Sequence, residues 1–252
     1  DYEETVTVWE PRERALMILA ADLCHHCGRC VLEGRKGDLC PEKLEPEKIV
    51  YGPQGWGPAR NIVAFTGGDV TCQADFYVEV SEKIKDQCKK MWVLIETNGF
   101  GLTPQNLDRF QSAGVDSYWL DIKAYDPKIY KKLCGTSNET VLAAPAGIVD
   151  RGFALEVLSL YIPNWVEVEE LEKIAKLVAE VDKNIPFTIL AFFPMYKMKD
   201  ERSPNLMEML KAYSTVKATG LKTIKLGNMG QFVKTNQDLN ILLSVVGKEG
   251  IG

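Results

Sequence analysis

Short apolar runs alternate with helical segments along most of this chain, and this alternation is the feature that most limits its fold. Six such runs recur roughly every 30 residues, which is the length of a strand plus its crossover helix. They are almost continuously apolar, as expected of parallel strands that are buried on both faces. The predicted strands are Ile62–Thr66, Trp92–Thr97, Ser117–Ile122, Ala154–Tyr161, Phe187–Phe193 and Lys222–Leu226.

The segments between these runs carry the start and stop signals of helices. Pro104 fits the first position of one helix and Gly114 its end, while Asp126 and Pro127 open another helix that Gly135 closes. Two later segments have apolar stripes at helical spacing. The stripes are Val168, Leu171, Ala175, Val178 and Val181, followed by Leu206, Met209, Leu210, Tyr213 and Val216. The pattern predicts an α/β fold with a parallel sheet, either an incomplete barrel or a doubly wound open sheet.

Length and charge narrow the possible functions. The chain of 252 residues is long enough for one well-buried α/β unit, and we expect residues 1–252 to form a single domain. No apolar run approaches the ~18 residues of a membrane-spanning helix, and a net charge of −5 argues against general binding to nucleic acid. The lysines at positions 83, 85, 89 and 90 are predicted to form a solvated helix face, with a local basic groove as the alternative.

The strongest chemical signal is a group of three closely spaced cysteines, Cys24, Cys27 and Cys30. Cysteines two residues apart in a short loop suit metal ligation better than disulfide bonds, which indicates a reducing, cytoplasmic compartment. Three thiolates can hold three irons of a [4Fe–4S] cluster and leave the fourth iron open. The same residues could instead form a zinc knuckle, with Cys40 or a histidine as the fourth ligand.

Small and polar residues follow the first three predicted strands. They are Gly67-Gly68-Asp69, Glu96-Thr97-Asn98-Gly99 and Asp121-Ile122-Lys123. Paired glycines allow the backbone to approach a ligand that a Cβ atom would exclude. Because ligands of open parallel sheets and barrels bind at the carboxyl ends of the strands, these residues are predicted to form the binding site.

In this order, the motifs resemble those of the radical S-adenosylmethionine (SAM) superfamily, and within it pyruvate formate-lyase activating enzyme and related glycyl-radical activases. The resemblance runs from about Cys24 to Asn228. Besides the motifs above, it rests on Gly135-Thr136-Ser137-Asn138, Tyr161-Ile162-Pro163, the segment 193–198 and Gly227-Asn228. It implies a partial (β/α)6 barrel of the radical SAM type, with a [4Fe–4S] cluster on Cys24, Cys27 and Cys30 and with SAM bound at the open iron.

The resemblance also implies roles for the strand-end residues. The expected SAM-binding residues are Gly67, Gly68, Asp69, Glu96, Asn98, Asp121 and Lys123. The two glycines would lie by the methionine amino group, and Asp69 stands where the family usually has Glu. Lys123, a compact cation, would pair with the SAM carboxylate. The alternative for Lys123 is a structural salt bridge to Glu96 or Asp121.

The resemblance implies both a reaction and partners. An electron donor such as flavodoxin or ferredoxin would allow reductive cleavage of SAM, and the resulting 5′-deoxyadenosyl radical would abstract a hydrogen atom from the substrate. The substrate would be a glycyl-radical enzyme or, alternatively, a small molecule or modified nucleobase. A zinc-knuckle α/β binding protein is the non-enzymatic alternative.

Two features depart from the activase pattern. The family separates its cysteines by three and then two residues, whereas both gaps here are two, so Cys27 and Cys30 with Cys40 form an alternative ligand set. Phe192-Phe193 stands where the activases carry a His near the end of a late strand. The remaining cysteines, Cys72, Cys88 and Cys134, are predicted to be ordinary thiols.

Overall fold

In this computed structural model, the chain is described over residues 14–20, 49–52, 55–67, 69–89 and 91–252. It divides into two compact units. The first unit contains the described residues up to Leu120 together with Ala146–Leu155, and the second contains Asp121–Pro145 with Glu156–Gly252. The prediction of a single domain over residues 1–252 stays a prediction.

The first unit is built on strands β1 to β5. These strands are β1 (Arg14–Ala20), β2 (Ile49–Gly52), β3 (Gly55–Gly67), β4 (Trp92–Thr97) and β5 (Ser117–Asp121), whose last residue begins the second unit. Strands β3, β4 and β5 are parallel neighbours, with Val63 opposite Val93 and Ile95 opposite Tyr118. Strands β1 and β2 both pair antiparallel with β3. The carboxyl ends of β3, β4 and β5 therefore lie at one edge of the sheet.

The first unit also contains helices and aromatic pairs in its core. The helices are α1 (Val70–Gln87), α2 (Pro104–Ser112) and the second half of α4 (Glu139–Asp150). The rings of Phe65 on β3 and Tyr77 on α1 pack edge to face with their centroids 5.1 Å apart, and Tyr118 on β5 packs in the same way on Phe153. Such pairs add specific geometry to the large area that buried aromatic side chains remove from water.

The second unit repeats the strand–helix pattern. Its parallel strands are β6 (Ala154–Tyr161, of which the first two residues belong to the first unit), β7 (Phe187–Ala191) and β8 (Ile224–Gly227). Its helices are α3 (Pro127–Cys134), the first half of α4, α5 (Val168–Val181), α6 (Leu206–Ala218) and α7 (Asn236–Val246). The predicted stripes of α5 and α6 face the core, because Leu171, Val178, Met209 and Val216 are all fully buried.

All six predicted strands occur, three in each unit, so the predicted α/β class with a parallel sheet is confirmed. The structure adds β1 and β2, a longer β3, and helices α4 and α7, none of which the sequence pattern predicted.

The predicted solvated lysine face is wrong for Lys85. Its ammonium donates to Asp116 Oδ2 at 2.7 Å and to the Met91 carbonyl at 2.5 Å, whereas Lys83 is exposed.

Candidate functional site

In the first unit, the Asp69 carboxylate connects the end of β3 to the end of β4. Its Oδ2 accepts a hydrogen bond from the Asn98 backbone N–H at 2.7 Å, and both of its oxygens lie 3.0–3.1 Å from the Thr97 hydroxyl. Asp69 is also the N-cap of α1, where Oδ1 accepts the backbone N–H of Thr71 at 3.4 Å. The carboxylate predicted to face a ligand therefore organises the two loops around it.

The loop after β4 is built from bonds between neighbouring residues. The Thr97 hydroxyl accepts the backbone N–H of Gly99 at 3.0 Å, and Asn98 Oδ1 accepts that of Phe100 at 2.9 Å. A Cβ atom on Gly101 would lie only 2.6 Å from the backbone nitrogen of Thr71 in the first turn of α1. Glycine is required there because the loop and the helix approach so closely.

Glu96 and Thr66 lie side by side on adjacent strands of this unit. The Thr66 hydroxyl donates to Glu96 Oε2, and both residues are half-buried. Residues two and four positions before Glu96 on β4, Leu94 and Trp92, pack in an apolar cluster with Ala64. Alternate residues of a strand share a face, so Trp92, Leu94 and Glu96 form one row along β4. Glu96 is the polar member of this row and lies near the C-terminal end of the strand.

In the second unit, Asp121 and Lys123 form an ion pair directly after β5. Lys123 Nζ donates to Asp121 Oδ2, and the two side chains are 33% and 28% exposed. The other carboxylate oxygen, Oδ1, is buried and accepts no hydrogen bond from the part of the chain that the structure describes. The salt bridge to Asp121 that the sequence left open is therefore present, together with an unsatisfied buried acceptor.

Three further loops follow the strands of the second unit. The Trp165 indole N–H in the loop after β6 donates to Glu201 Oε1 in the loop after β7 at 2.8 Å, and the Lys132 ammonium lies 3.8 Å from the centre of the Trp165 ring. After β8, Asn228 adopts a left-handed conformation (φ 59°) and donates to the Ala191 carbonyl at 3.0 Å. These contacts join the loops after β6, β7 and β8 to their neighbours.

Two phenylalanines, Phe192 and Phe193, directly follow β7. Phe192 is buried, whereas Phe193 is 47% exposed and is followed by the more exposed Met195 and Tyr196. Nearby, burial raises the pKa of Tyr161, at the end of β6, to about 12, with Glu167 as the next cause. Tyr161 therefore remains neutral at physiological pH.

The structure brings the predicted residues together within each unit. Asp69 and Asn98 are hydrogen-bonded to each other in the first unit, Gly67 ends β3, and Asp121 pairs with Lys123 in the second unit.

Some predicted residues lie outside the described part of the chain. They are the predicted cluster ligands Cys24, Cys27 and Cys30, the alternative ligand Cys40, Gly68 and the side chain of Cys72. Cys88 is half-buried and Cys134 is exposed, and both are free thiols. Across the described ranges, no three Asp, Glu, His or Cys side chains are arranged to hold a metal ion.

Several residues with structural roles were not predicted. Thr97 and Gly101 lie in or beside the quoted β4 motif, where a hydroxyl and a small residue next to a strand end were the available signal. Glu170 accepts the backbone N–H groups of Tyr125 and Asp126, and Ser159 donates to the Ile122 carbonyl. These two residues lie in a helix and a strand that were assigned only to the core, and nothing in their spacing marked them.

Comparison with known proteins identifies the family. Residues 22–178, more than half of the chain, match the family model described as the radical SAM superfamily. The chain therefore belongs to the radical SAM superfamily, a superfamily of enzymes that characteristically use SAM and an iron–sulfur cluster.

Two curated relatives carry activase names. A Methanocaldococcus jannaschii protein named as a glycyl-radical enzyme activating enzyme is 30% identical over 154 residues, which cover 60% of this chain and 57% of that protein. The pyruvate formate-lyase-activating enzyme of Streptococcus mutans is 28% identical over 172 residues, which cover 66% of this chain and 62% of that protein. The match thus spans about three fifths of the length of each relative.

A solved structure shares the fold. A domain of pyruvate-formate lyase-activating enzyme from Bacteroides vulgatus matches with a TM-score of 0.55 and 14% identity, covering 66% of this chain and 98% of that chain. This likeness confirms the predicted partial barrel of the radical SAM type.

Within the described residues, no helix is both long and apolar enough to span a bilayer.

Proposed function

We propose that this chain is a radical SAM enzyme that holds a [4Fe–4S] cluster on Cys24, Cys27 and Cys30 and binds SAM with the residues at its strand ends. When reduced and bound to SAM, such a cluster supplies the electron for cleavage to methionine and a 5′-deoxyadenosyl radical, which removes a hydrogen atom from the substrate. Family membership supports the class of chemistry, and the strand-end geometry supports the assignment of residues.

The observation that carries the assignment is the Asp121–Lys123 pair. SAM presents an ammonium and a carboxylate on its methionine end. Asp121 Oδ1 is a buried acceptor without a hydrogen bond among the described residues, which suits an ammonium or other donor group. Lys123 is 33% exposed, and its flexible stem allows the ammonium to reach a carboxylate beyond Asp121.

The residues of the first unit have complementary roles in this proposal. Gly67 and Gly68 allow the backbone to approach the methionine end of SAM, and Glu96 offers a second carboxylate. Asp69 and Asn98 shape the adjoining loops through their hydrogen bond. Because the Asp69 carboxylate also accepts from Thr71 and Thr97, its part in this proposal is to fix these loops around SAM.

For the substrate, we propose a glycyl-radical enzyme, in keeping with the names of the two curated relatives. The electron donor would be a flavodoxin or ferredoxin, and the thiolate-rich motif suits the reducing cytoplasm. The second candidate is a small molecule or modified nucleobase. Phe192-Phe193 at the end of β7 favours it, because the activase pattern has a His there and this site is apolar.

The experiment is anaerobic reconstitution with iron and sulfide, followed by reduction in the presence of SAM. We expect a brown protein that releases 5′-deoxyadenosine, and we expect Cys27→Ala to abolish both properties because Cys27 belongs to either ligand set. Cys88→Ala, which replaces a half-buried free thiol, is the matched control and should retain both. A colourless protein with stoichiometric zinc and no cleavage would refute the proposal.

Two further measurements refine it. Comparing Cys24→Ala with Cys40→Ala identifies the third ligand, because the variant that keeps the cluster has lost a residue that is not a ligand. Deuterium transfer into 5′-deoxyadenosine then distinguishes the substrates. Transfer from a deuterated glycyl-radical enzyme supports the activase assignment, and transfer from a small molecule supports the second candidate.

A further inference from the structure

The backbone on both sides of Lys123 is held by buried polar side chains from a helix, a strand and the loop before α4. The side chains belong to Glu170, Asn138 and Ser159, whose exposed fractions are 5%, 3% and 0%. Only nine polar or charged residues are this deeply buried in the described part of the chain, and three of them bind the short segment 122–126. Such concentration of buried polar groups on one loop calls for a physical explanation.

Glu170, in the first turn of α5, holds the segment from one side. A single carboxylate oxygen, Oε2, accepts the backbone N–H groups of Tyr125 at 2.9 Å and Asp126 at 2.7 Å. The other oxygen, Oε1, accepts from the half-exposed Lys173 ammonium at 2.8 Å. Hydrogen bonds to an ionised acceptor are about twice as strong as neutral ones, so this contact fixes two successive peptide groups.

Asn138 and Ser159 hold the carbonyl groups of the same segment. Asn138 Nδ2 donates to the carbonyls of Tyr125 at 2.7 Å and Ala124 at 3.3 Å. The Ser159 hydroxyl on β6 donates to the Ile122 carbonyl at 2.8 Å, and the Ile122 N–H donates to the carbonyl of Leu158 at 2.9 Å. The backbone is therefore anchored immediately before and after Lys123.

The Lys123 side chain, in contrast, is held by its ion pair to Asp121 and is one third exposed. A rigid backbone beneath a long cationic side chain limits the volume that its ammonium samples, which lowers the entropy lost when it binds an anion. A loop needed only as a connection would be solvated at the surface and would not require a desolvated carboxylate beneath it.

We propose that Glu170, together with Asn138, is a positioning residue that holds Lys123 in place to bind the carboxylate of SAM. This inference rests on the proposed function and deepens it, because it makes SAM affinity depend on residues beneath the loop. Glu170 acts through Lys123 and contacts no ligand itself.

A double-mutant cycle on Glu170→Ala and Lys123→Met tests the inference. The Kd of SAM is measured by equilibrium dialysis on the reconstituted, unreduced protein, so that no turnover occurs. Each single variant is expected to raise the Kd roughly 10- to 100-fold, the usual effect of removing a group that orients a ligand-binding residue. If Glu170 acts through Lys123, the double variant should bind SAM within about twofold of Lys123→Met. Fully additive losses would overturn the inference.

Analogue binding and a matched control separate positioning from a general effect on folding. Wild type should prefer SAM over decarboxylated SAM, and Glu170→Ala should lose this preference because the carboxylate no longer meets a positioned ammonium. Glu172→Gln is the control, since Glu172 lies on the same helix in an exposed ion pair with Lys176. It should bind SAM like wild type, and an equal loss in Glu172→Gln would contradict the inference.

Rescue provides the last test. Glu170→Gln should restore most of the affinity, because one amide oxygen can accept the two N–H groups that Oε2 accepts now and the half-exposed Lys173 can turn to solvent. If circular dichroism shows that Glu170→Ala does not fold, Asn138→Ala takes its place in the cycle with the same expected non-additivity. If wild type binds no SAM, the proposed function fails. If wild type binds SAM but the cycle is additive, only the positioning role fails.

Discussion

Replacing Asp69 with alanine should cost far more stability than its half-exposed position suggests. The change removes the N-cap of α1, which is typically worth about 1 kcal/mol. It also removes the bonds from the Asn98 N–H and the Thr97 hydroxyl, each worth about 1.5 kcal/mol at the low end for an ionised acceptor. Because the three bonds share one carboxylate and are not additive, we expect a loss of about 2–4 kcal/mol in the free energy of unfolding.

Urea unfolding monitored by tryptophan fluorescence measures this loss. With a slope of about 2–3 kcal/mol per M for a chain of this size, the midpoint should fall by roughly 1 M. Asp75→Ala is the matched control, because Asp75 lies on the same helix, is 92% exposed and pairs only with Arg109 among the described residues. Its midpoint should stay nearly unchanged, as is usual for surface ion pairs. Equal midpoints for the two variants would refute the role of Asp69 as a link between β3 and β4.

Two other perturbations test the packing and electrostatics of the described elements. Gly101→Ala should cost about 1–3 kcal/mol in urea unfolding because its Cβ would lie 2.6 Å from a backbone nitrogen of α1, whereas Gly230→Ala, with open space around it, should be close to neutral. Equal costs would contradict the close approach. Glu208 should stabilise α6 only above its titration range, because the hydrogen bond from Arg202 holds the pKa of its carboxyl below the ordinary 4.5. A depressed folded-state pKa means that this contribution is present above pH 4.5 and is lost as the pH falls through the folded-state value. The difference in stability between wild type and Glu208→Gln should therefore be largest at pH 7 and shrink as the pH falls below 4.5. A difference that does not change with pH would show that the contribution is not ionic.

Much of the regular structure followed from local signals. Trp92–Thr97 and Ala154–Tyr161 are strands at the predicted bounds, because a continuous apolar run between turn residues admits few alternatives. Helix α3 begins after the N-cap Asp126 and ends at Gly135 with φ 79°, as the dipeptide Asp126-Pro127 and the glycine indicated. Strand β1 was missed because it is completed by antiparallel pairing with β3, which is distant in the sequence, and helix α7 was missed as well.

The sequence proposed the members of the candidate site, and their role in binding SAM stays a prediction; the structural partners of these residues could not be read from the sequence. Asp121 and Lys123 were proposed because charged residues at a buried strand end are unusual. The choice between a salt bridge and a ligand contact for Lys123 was open, and the structure contains the ion pair to Asp121. Glu170 could not be found, since one Glu among several in an amphipathic helix gives no signal until its neighbours in space are known.

The six strands, the ends of α2 and α3 and the family motifs could be read from residue type and short spacing, and the class of chemistry followed from the resemblance of those motifs to a known family. Which polar groups are buried, and what they bind, became known only from the folded structure. Asp69 spans 28 residues to reach Thr97, and Glu170 lies 45 residues from Tyr125. The contribution of a charge or hydrogen bond to stability depends on its exposure and its partner, and both are set when distant segments pack together.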